Sequence, residues 1–134
     1  MKILVAEDDF ASRNFLQFLL KKYGEVDIAV NGIEVLEAFR AALESKEPYD
    51  IIFMDIMMPE KDGLEAAKEV REMEREFHVA AANEVSIIMA TALSDVKTVF
   101  KAFNKSEATD YIVKPLTVDT VHAKLIEMGL LNDK

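Results

Sequence analysis

The sequence has no cysteine among its 134 residues, and this absence excludes several classes of site. There can be no disulfide framework, no thiolate nucleophile and no metal site built on sulfur. Any bound metal ion must therefore be held by oxygen atoms or by imidazole. No apolar run is long enough for a signal peptide or a membrane-spanning helix, so we expect a cytoplasmic protein without membrane insertion.

Basic residues are scarce relative to acidic residues. Sixteen lysines and arginines oppose 25 aspartates and glutamates, which gives a net charge of −9 at pH 7. A field of this sign repels a phosphate backbone, and we therefore expect no direct binding to nucleic acid. The hydrophobic fraction of 51% is typical of a chain with a packed core, and the length fits one domain spanning residues 1–134.

Short apolar runs rich in β-branched residues alternate with longer stretches whose apolar residues recur at helical spacing. The runs predict five strands, at residues 3–6, 26–30, 51–54, 85–89 and 111–113. Residues that favour helix N-caps precede the longer stretches, namely Asp9, Asn31, Asp62, Ser94 and Thr117. The alternation predicts an α/β fold in which helices cover both faces of a doubly wound parallel sheet. We interpret the charged stretch 68–76 as the solvated face of one of these helices.

Polar residues stand at the predicted ends of four strands. The residues after the first, third, fourth and fifth strands are, in order, Glu7 with Asp8, Asp55, Thr91 and Lys114. In a sheet of this kind ligands bind beyond the carboxyl ends of the strands, so these side chains are expected to converge. Crowded carboxylates repel one another unless a cation is present, and Mg²⁺ prefers such hard oxygen ligands. Each acid alone could simply cap a helix, but the whole set favours a divalent cation site.

The same residues lie in motifs that resemble those of a known family. In chain order the motifs are Glu7-Asp8, Met54-Asp55-Ile56-Met57-Met58-Pro59 followed by Asp62-Gly63, Thr91-Ala92 and Lys114-Pro115. Together, over about residues 2–128, they resemble the response regulator receiver domain of bacterial two-component signalling. This resemblance implies a flavodoxin-like (βα)5 fold with a five-stranded parallel sheet in the order 2-1-3-4-5.

The resemblance implies a phosphorylation site with a metal ion beside it. Asp55 would accept a phosphoryl group from the phosphohistidine of a histidine kinase or phosphotransfer protein. Mg²⁺, for which Mn²⁺ can substitute, would be held by Glu7, Asp8, Asp55 and the backbone carbonyl of Met57. Such a chain is a phospho-accepting signalling domain that catalyses its own phosphorylation and slow dephosphorylation, and it is not an enzyme with a separate substrate.

The resemblance also implies how phosphorylation is sensed. Lys114, aimed into the site by a cis bond to Pro115, and the hydroxyl of Thr91 would offset charge on the transferred group. Thr91 would move toward the phosphoryl group, and Tyr111 would rotate inward to fill the space, as a shift between two packings. An unknown partner protein would read the surface of the fourth helix, fifth strand and fifth helix, about residues 96–129.

The chain departs from the family pattern at several positions. Position 7 is glutamate where aspartate is commoner, and position 107 is glutamate where the family usually has a turn glycine. The connections 40–49 and 74–84 are long, which indicates extended second and third helices or loops with their own contacts. Met57 and Leu93, which flank the approach of water to Asp55, are both apolar, so we expect slow self-dephosphorylation.

The favoured function is a stand-alone signalling switch without an output domain. The alternatives within the family are a phosphorelay intermediate and a receiver excised from a longer regulator. A hydrolase of the haloacid dehalogenase type is disfavoured, because Met57 stands where that class needs a second acid. A flavodoxin-like electron carrier is disfavoured because acids in the first loop repel a phosphate. An inert pseudo-receiver is disfavoured because the acceptor, metal and lysine positions all carry the required residues.

Overall fold

The structure, a computed structural model, describes residues 1–92 and 108–131. The strands are β1 (Lys2–Ala6), β2 (Glu25–Ala29), β3 (Ile51–Asp55), β4 (Ser86–Thr91) and β5 (Asp110–Val113). The helices are α1 (Phe10–Leu20), α2 (Gly32–Glu44), α3 (Gly63–Glu76) and α4 (Val118–Glu127), with a short 3₁₀ helix at Ala81–Asn83. Helix α4 is the fifth helix predicted from the sequence, since the one expected after Ser94 lies outside the described residues.

All five strands are parallel and form one sheet in the order β2-β1-β3-β4-β5. Strand β1 lies between β2 and β3, with Ile3 opposite both Val26 and Ile51. The predicted doubly wound sheet and its strand order are therefore confirmed. Among the described helices, none is long and apolar enough to cross a membrane.

The sheet separates two hydrophobic clusters, because successive side chains of a strand point to opposite faces. Leu4 belongs to the cluster that includes residues of α2 and α3, such as Phe39 and Val70. Its neighbours Ile3 and Val5 belong to the cluster that includes residues of α1 and α4. The central strand β3 is buried along its whole length, as its continuous apolar run predicts.

Each described α-helix is preceded by a residue whose side chain accepts a hydrogen bond from the backbone N–H three residues later. The capping residues are Asp9, Asn31, Asp62 and Thr117. These are the N-caps predicted from the sequence. Each cap satisfies a donor that the helix itself leaves without a partner, and each one follows closely on a strand, so that it fixes where the chain turns back.

Each strand has at least one boundary that differs by one or two residues from the prediction, and at two of these boundaries a glutamate side chain takes the backbone donor. The strand expected at 85–89 begins at Ser86, since the Val85 N–H donates to Oε2 of Glu74 at 2.7 Å. The strand expected at 26–30 ends at Ala29, since the Val30 N–H donates to Oε1 of Glu34 at 2.9 Å. Neither hydrogen bond can be inferred from the pattern of apolar residues in the sequence.

The long connections 40–49 and 74–84 are partly helix, because α2 continues to Glu44 and α3 to Glu76. The two helices contact each other near their ends, where Arg40 pairs with Glu76 at 3.0 Å. The Arg40 guanidinium also lies over the ring of Phe77, 5.5 Å from its centroid. These residues therefore tie the two connections together at the end of the sheet opposite the strand carboxyl ends.

A buried ion pair in α3 corrects the interpretation of 68–76 as a purely solvated face. Arg71 and Glu74 are 7% and 1% exposed, and Nη1 of Arg71 donates to Oε1 of Glu74 at 2.6 Å. Nη2 of Arg71 donates to Oγ1 of Thr109 at 3.2 Å, and the same oxygen accepts from the Ile87 N–H. The network joins α3 to the beginnings of β4 and β5. A buried charge is tolerated only when it is paired in this way.

The buried and exposed ion pairs of α3 allow a matched test. Glu74→Gln removes the charge from a buried pair, and we expect it to lower the free energy of unfolding by about 3 kcal/mol. Glu76→Gln makes the same chemical change in a pair whose side chains are about half exposed, and should cost below about 1 kcal/mol. Urea unfolding at equal m-value measures both, and equal losses would contradict this account of the network.

Candidate functional site

The polar residues at the strand ends converge at the carboxyl edge of the sheet. Glu7 and Asp8 directly follow β1, Asp55 ends β3 and Lys114 follows β5. Carboxylate oxygens of the three acids all lie within 4.8 Å of one another. Glu7 and Asp55 are 2% and 9% exposed, while Asp8 faces solvent. The structure therefore brings the predicted metal-binding acids and the predicted lysine into one cluster.

Lys114 bridges two of these acids. Its Nζ donates to Oδ2 of Asp55 at 2.9 Å and to Oε1 of Glu7 at 3.2 Å. The Lys114–Pro115 peptide bond is cis, as the resemblance implies. The Lys114 N–H donates to the carbonyl of Thr91 at 2.7 Å, so β4 helps to hold the lysine backbone. One ammonium thus partly offsets the charge of the carboxylates when no other cation is present.

Backbone groups hold the acids in place. The Met57 N–H donates to Oδ1 of Asp55 at 3.1 Å, and the Asp9 N–H donates to Oε2 of Glu7 at 3.2 Å. Both Asp55 oxygens therefore have a donor, one from Lys114 and one from the loop that follows β3. The Met57 side chain itself is 71% exposed and lies beside the site without covering it.

The two predicted switch residues lie on the neighbouring strands β4 and β5. Thr91 is 2% exposed, and within the described part of the chain its hydroxyl donates to the carbonyl of Ala92 at 3.2 Å instead of to Asp55. Tyr111 is half-buried on β5 and packs against the cluster of α2 and α3. Leu93, the second apolar residue expected to flank the water approach, lies outside the described residues.

Burial and neighbouring charge shift the acid–base behaviour of the site. Burial raises the pKa of Glu7 most, and the hydrogen bond with the Asp55 side chain adds to it, so that the pKa reaches about 7. The Asp9 N–H and the Lys114 ammonium act in the opposite direction. Burial lowers the pKa of Lys114, but its bonds to Asp55 and Glu7 outweigh burial and hold it above its ordinary value. Glu7 is therefore mostly protonated within the cluster when the pH is below about 7.

Two residues of the site carry roles that the sequence reasoning missed. Nη1 of Arg13, one turn into α1, donates to the carbonyls of Glu7 and Asp8 at 3.1 and 3.3 Å, which orients the loop after β1. Gly63 begins α3 so close to β3 that a Cβ atom there would lie 2.3 Å from the carbonyl oxygen of Asp55. The position of Arg13, four residues after the capping Asp9, only weakly indicates a contact with the loop after β1. For the close approach at Gly63, the sequence offers no indication beyond the Asp62-Gly63 motif.

Comparison with known proteins decides the family. The family model for the response regulator receiver domain matches residues 3–126. The chain belongs to this family. The resemblance inferred from the motifs is thus confirmed, and the signalling class of the domain with it. Receiver domains serve two-component signal transduction and are generally not enzymes.

Two curated relatives and one solved structure illustrate the similarity. The transcriptional regulatory protein ZraR of Klebsiella oxytoca is 35% identical over 126 residues, which cover 93% of this chain and 25% of ZraR. The chemotaxis protein CheY of Halobacterium salinarum is 33% identical over 121 residues, which cover 90% of this chain and 89% of CheY. The receiver therefore spans about a quarter of the first relative and most of the second.

The structural relative is the receiver domain of Ssk1 from Saccharomyces cerevisiae, solved in complex with the histidine phosphotransfer protein Ypd1. It superimposes with a TM-score of 0.79 at 26% identity, over 99% of this chain and 93% of that chain. The flavodoxin-like receiver fold expected from the sequence is therefore confirmed by a solved relative.

The opposing influences on Glu7 can be tested one at a time in the metal-free protein. Asp55→Asn removes a neighbouring negative charge, and we expect it to lower the Glu7 pKa from about 7, though not to the 4.5 of an ordinary glutamate, because burial remains. Lys114→Met removes a positive charge and should raise the Glu7 pKa further. Carboxyl ¹³C NMR titration measures both shifts. Shifts of the same sign, or a wild-type pKa near 4.5, would contradict the site described above.

Proposed function

We propose that the protein is a phosphorylation-dependent switch in which Asp55 accepts a phosphoryl group from a phosphohistidine of another protein. The observation that carries the proposal is the position of Asp55, whose carboxylate lies among two further acids and is bonded to Lys114 at 2.9 Å. The proximity of Asp55 to two further acids and to the Lys114 ammonium supports a role as nucleophile beside a cation site.

The transfer is a displacement at phosphorus. An oxygen of Asp55 attacks the phosphorus atom, a P–O bond forms as the P–N bond of phosphohistidine breaks, and the imidazole leaves with the bonding electrons and is neutral once protonated. Lys114 would exchange its bond to Asp55 for one to a phosphoryl oxygen, which keeps a positive charge where negative charge develops. Thr91 and Tyr111 would then change position, as the resemblance implies.

The acids fit a divalent cation. Three carboxylates with oxygens within 4.8 Å of one another are a hard donor set with more negative charge than Lys114 neutralises. We propose Mg²⁺, replaceable by Mn²⁺, held by Glu7, Asp8, Asp55 and the backbone carbonyl of Met57. When bound, the ion would supply charge neutralisation for the phosphoryl oxygens and would orient them.

The proposed partner for phosphorylation is a histidine kinase or a phosphotransfer protein. A groove of about 590 Å³ lies beside the acids, between α1 and the segment after β5. Its wall includes the 40% exposed ring of Phe15 and the side chain of Leu116, next to Glu7 and Lys114. An apolar groove that opens beside the acids suits the docking of a protein that donates the phosphoryl group. The Ssk1 receiver, bound to its phosphotransfer protein, gives a precedent in a relative.

The proposed output is protein binding through the surface formed by about residues 96–129, which include β5 and α4. Part of this range lies outside the described residues. We propose that the chain acts as a single receiver domain over residues 1–134, in a cytoplasmic setting and without direct contact with nucleic acid or membrane. The net charge of −9 supports the absence of a nucleic-acid contact, because phosphate backbones are repelled.

Incubation with acetyl phosphate tests the phosphoacceptor chemistry directly. Intact-protein mass spectrometry should show one phosphoryl adduct on the wild type in the presence of Mg²⁺ and little without it. Asp55→Asn should abolish the adduct, while Asp9→Asn, which alters the acid that caps α1, should retain it. No adduct on the wild type, or an adduct that survives in Asp55→Asn, would overturn the proposal.

Proton competition predicts how Mg²⁺ binding depends on pH. Folded Glu7 keeps its proton up to a pKa of about 7 against 4.5 for an ordinary glutamate, so its contribution to metal-free stability declines as pH rises between these values. A metal ion must displace that proton below pH 7. We therefore expect Mg²⁺ to raise the melting temperature more at one pH unit above 7 than at one unit below.

Glu7→Gln is the control for this dependence, because glutamine has no proton to lose. The Mg²⁺-induced change in melting temperature should be smaller in this variant and should vary little with pH. An equal effect of Mg²⁺ on the wild type at both pH values would show that Glu7 is not a ligand.

The lifetime of the phosphoryl group tests the role assigned to Met57 and Leu93. Neither apolar side chain can orient or deprotonate water, so hydrolysis of the acyl phosphate should be slow. The double variant Met57→Asn with Leu93→Glu should accelerate phosphate loss on the order of tenfold, measured by the decay of the adduct mass. An exposed methionine-to-leucine change, Met57→Leu, should leave the decay rate as it is. Unchanged decay in the double variant would contradict the assignment.

A further inference from the structure

A second groove lies between α2 and α3, on the same face of the sheet as the cluster that includes Leu4. Its volume is about 370 Å³, and its apolar lining includes Ile33 and Leu36 from α2 and Met73 from α3. Met73 is buried and Leu36 half-buried, but Ile33 is 43% exposed. The groove therefore has a small apolar floor, from which Ile33 is open to solvent, between facing parts of two helices.

The rim of this groove is acidic. Glu37 on α2 faces it from one side, and Glu69, Glu72 and Glu76 on α3 from the other. Glu76 pairs with Arg40 at 3.0 Å, and Glu69 pairs with Lys61, which stands in the loop before α3. Glu37 and Glu72 have no ion pair with any residue in 1–92 or 108–131. Two carboxylates thus stand at the rim without an ion-pair partner in the described chain, while Arg40, the cation that also lines the groove, is paired with Glu76.

We propose that this groove binds a basic amphipathic helix of a partner protein. A helix with apolar residues at every third or fourth position can place them against Ile33, Leu36 and Met73. Lysine or arginine at its borders then meets Glu37 and Glu72, which brings opposite charges together and speeds encounter. The apolar contact supplies most of the affinity, because ion pairs at an exposed rim contribute little each.

The charges of the groove argue against other occupants. A second copy of this chain, bound through the same face about a two-fold axis, would place acidic rims against each other. An acidic peptide or a nucleic acid would meet the same repulsion. The proposal is independent of phosphorylation, since none of these residues belongs to the cluster around Asp55, and an Asp55→Asn protein should bind equally well.

A designed peptide tests the proposal. The probe is a short helical peptide with leucines on one face and lysines and arginines at the borders of that face. It is titrated into ¹⁵N-labelled full-length protein at physiological salt. We expect saturable binding, with amide shifts concentrated on α2 and α3. A peptide of the same pattern with glutamate in place of the basic residues should not bind.

Matched variants separate the groove from the general charge of the protein. Glu37→Gln with Glu72→Gln should weaken binding about fivefold, and Ile33→Ser should do so by a similar factor. Glu25→Gln with Glu84→Gln changes the net charge equally at exposed positions outside the groove, and should weaken binding less than twofold. The ¹⁵N spectrum of each variant confirms that it is folded.

Three results would overturn the proposal. The first is an equal loss of affinity in the two charge variants, which would show a nonspecific attraction to an acidic protein. The second is a set of amide shifts on another face of the molecule. The third is self-association of the free protein that is abolished by Ile33→Ser, which would make a second copy the occupant.

Discussion

Repulsion between like charges at one edge of the sheet is the constraint on which the rest of this structure depends. Glu7 and Asp55 are almost fully buried with Asp8 beside them, and burial alone would make two ionised carboxylates in such contact unfavourable. The Lys114 ammonium, bonded to two of them, and the proton that Glu7 retains to about pH 7 reduce this cost. In the proposed function, a divalent cation or a phosphoryl group would change this balance of charge.

Several features of the fold bring these charged groups together and hold them in place. The carboxyl ends of neighbouring parallel strands deliver the acids and the lysine to one place. Gly63 lets α3 begin against the carbonyl of Asp55, where any side chain would collide with the backbone. The Met57 N–H and the Arg13 guanidinium hold the two loops that carry the acids. At the other end of the sheet the Arg71–Glu74 pair ties α3 to β4 and β5, so that the position of α3 is supported at both ends.

Most of the fold, and the convergence of the acids with Lys114, could be predicted from the sequence, because both depend on local pattern. Apolar runs alternate with helical spacing, capping residues such as Asn31 mark helix starts, and acids after the strands mark the site edge. What could not be predicted depends on contacts between residues distant in sequence. The start of β4 depends on Glu74, and Arg71 and Glu74 are buried in a stretch whose composition indicates a solvated face. The close approach at Gly63 is likewise a property of the packed structure.

We propose that Asp55, among several acids at the same edge, is the residue that accepts the phosphoryl group. Borohydride reduces an acyl phosphate of aspartate to homoserine, which marks the modified residue permanently. The most direct measurement is therefore peptide mapping by mass spectrometry after acetyl phosphate, Mg²⁺ and borohydride. This account predicts homoserine at position 55 and unmodified aspartate at positions 8 and 9. Homoserine at position 8 or 9, or at none of the three, would contradict it.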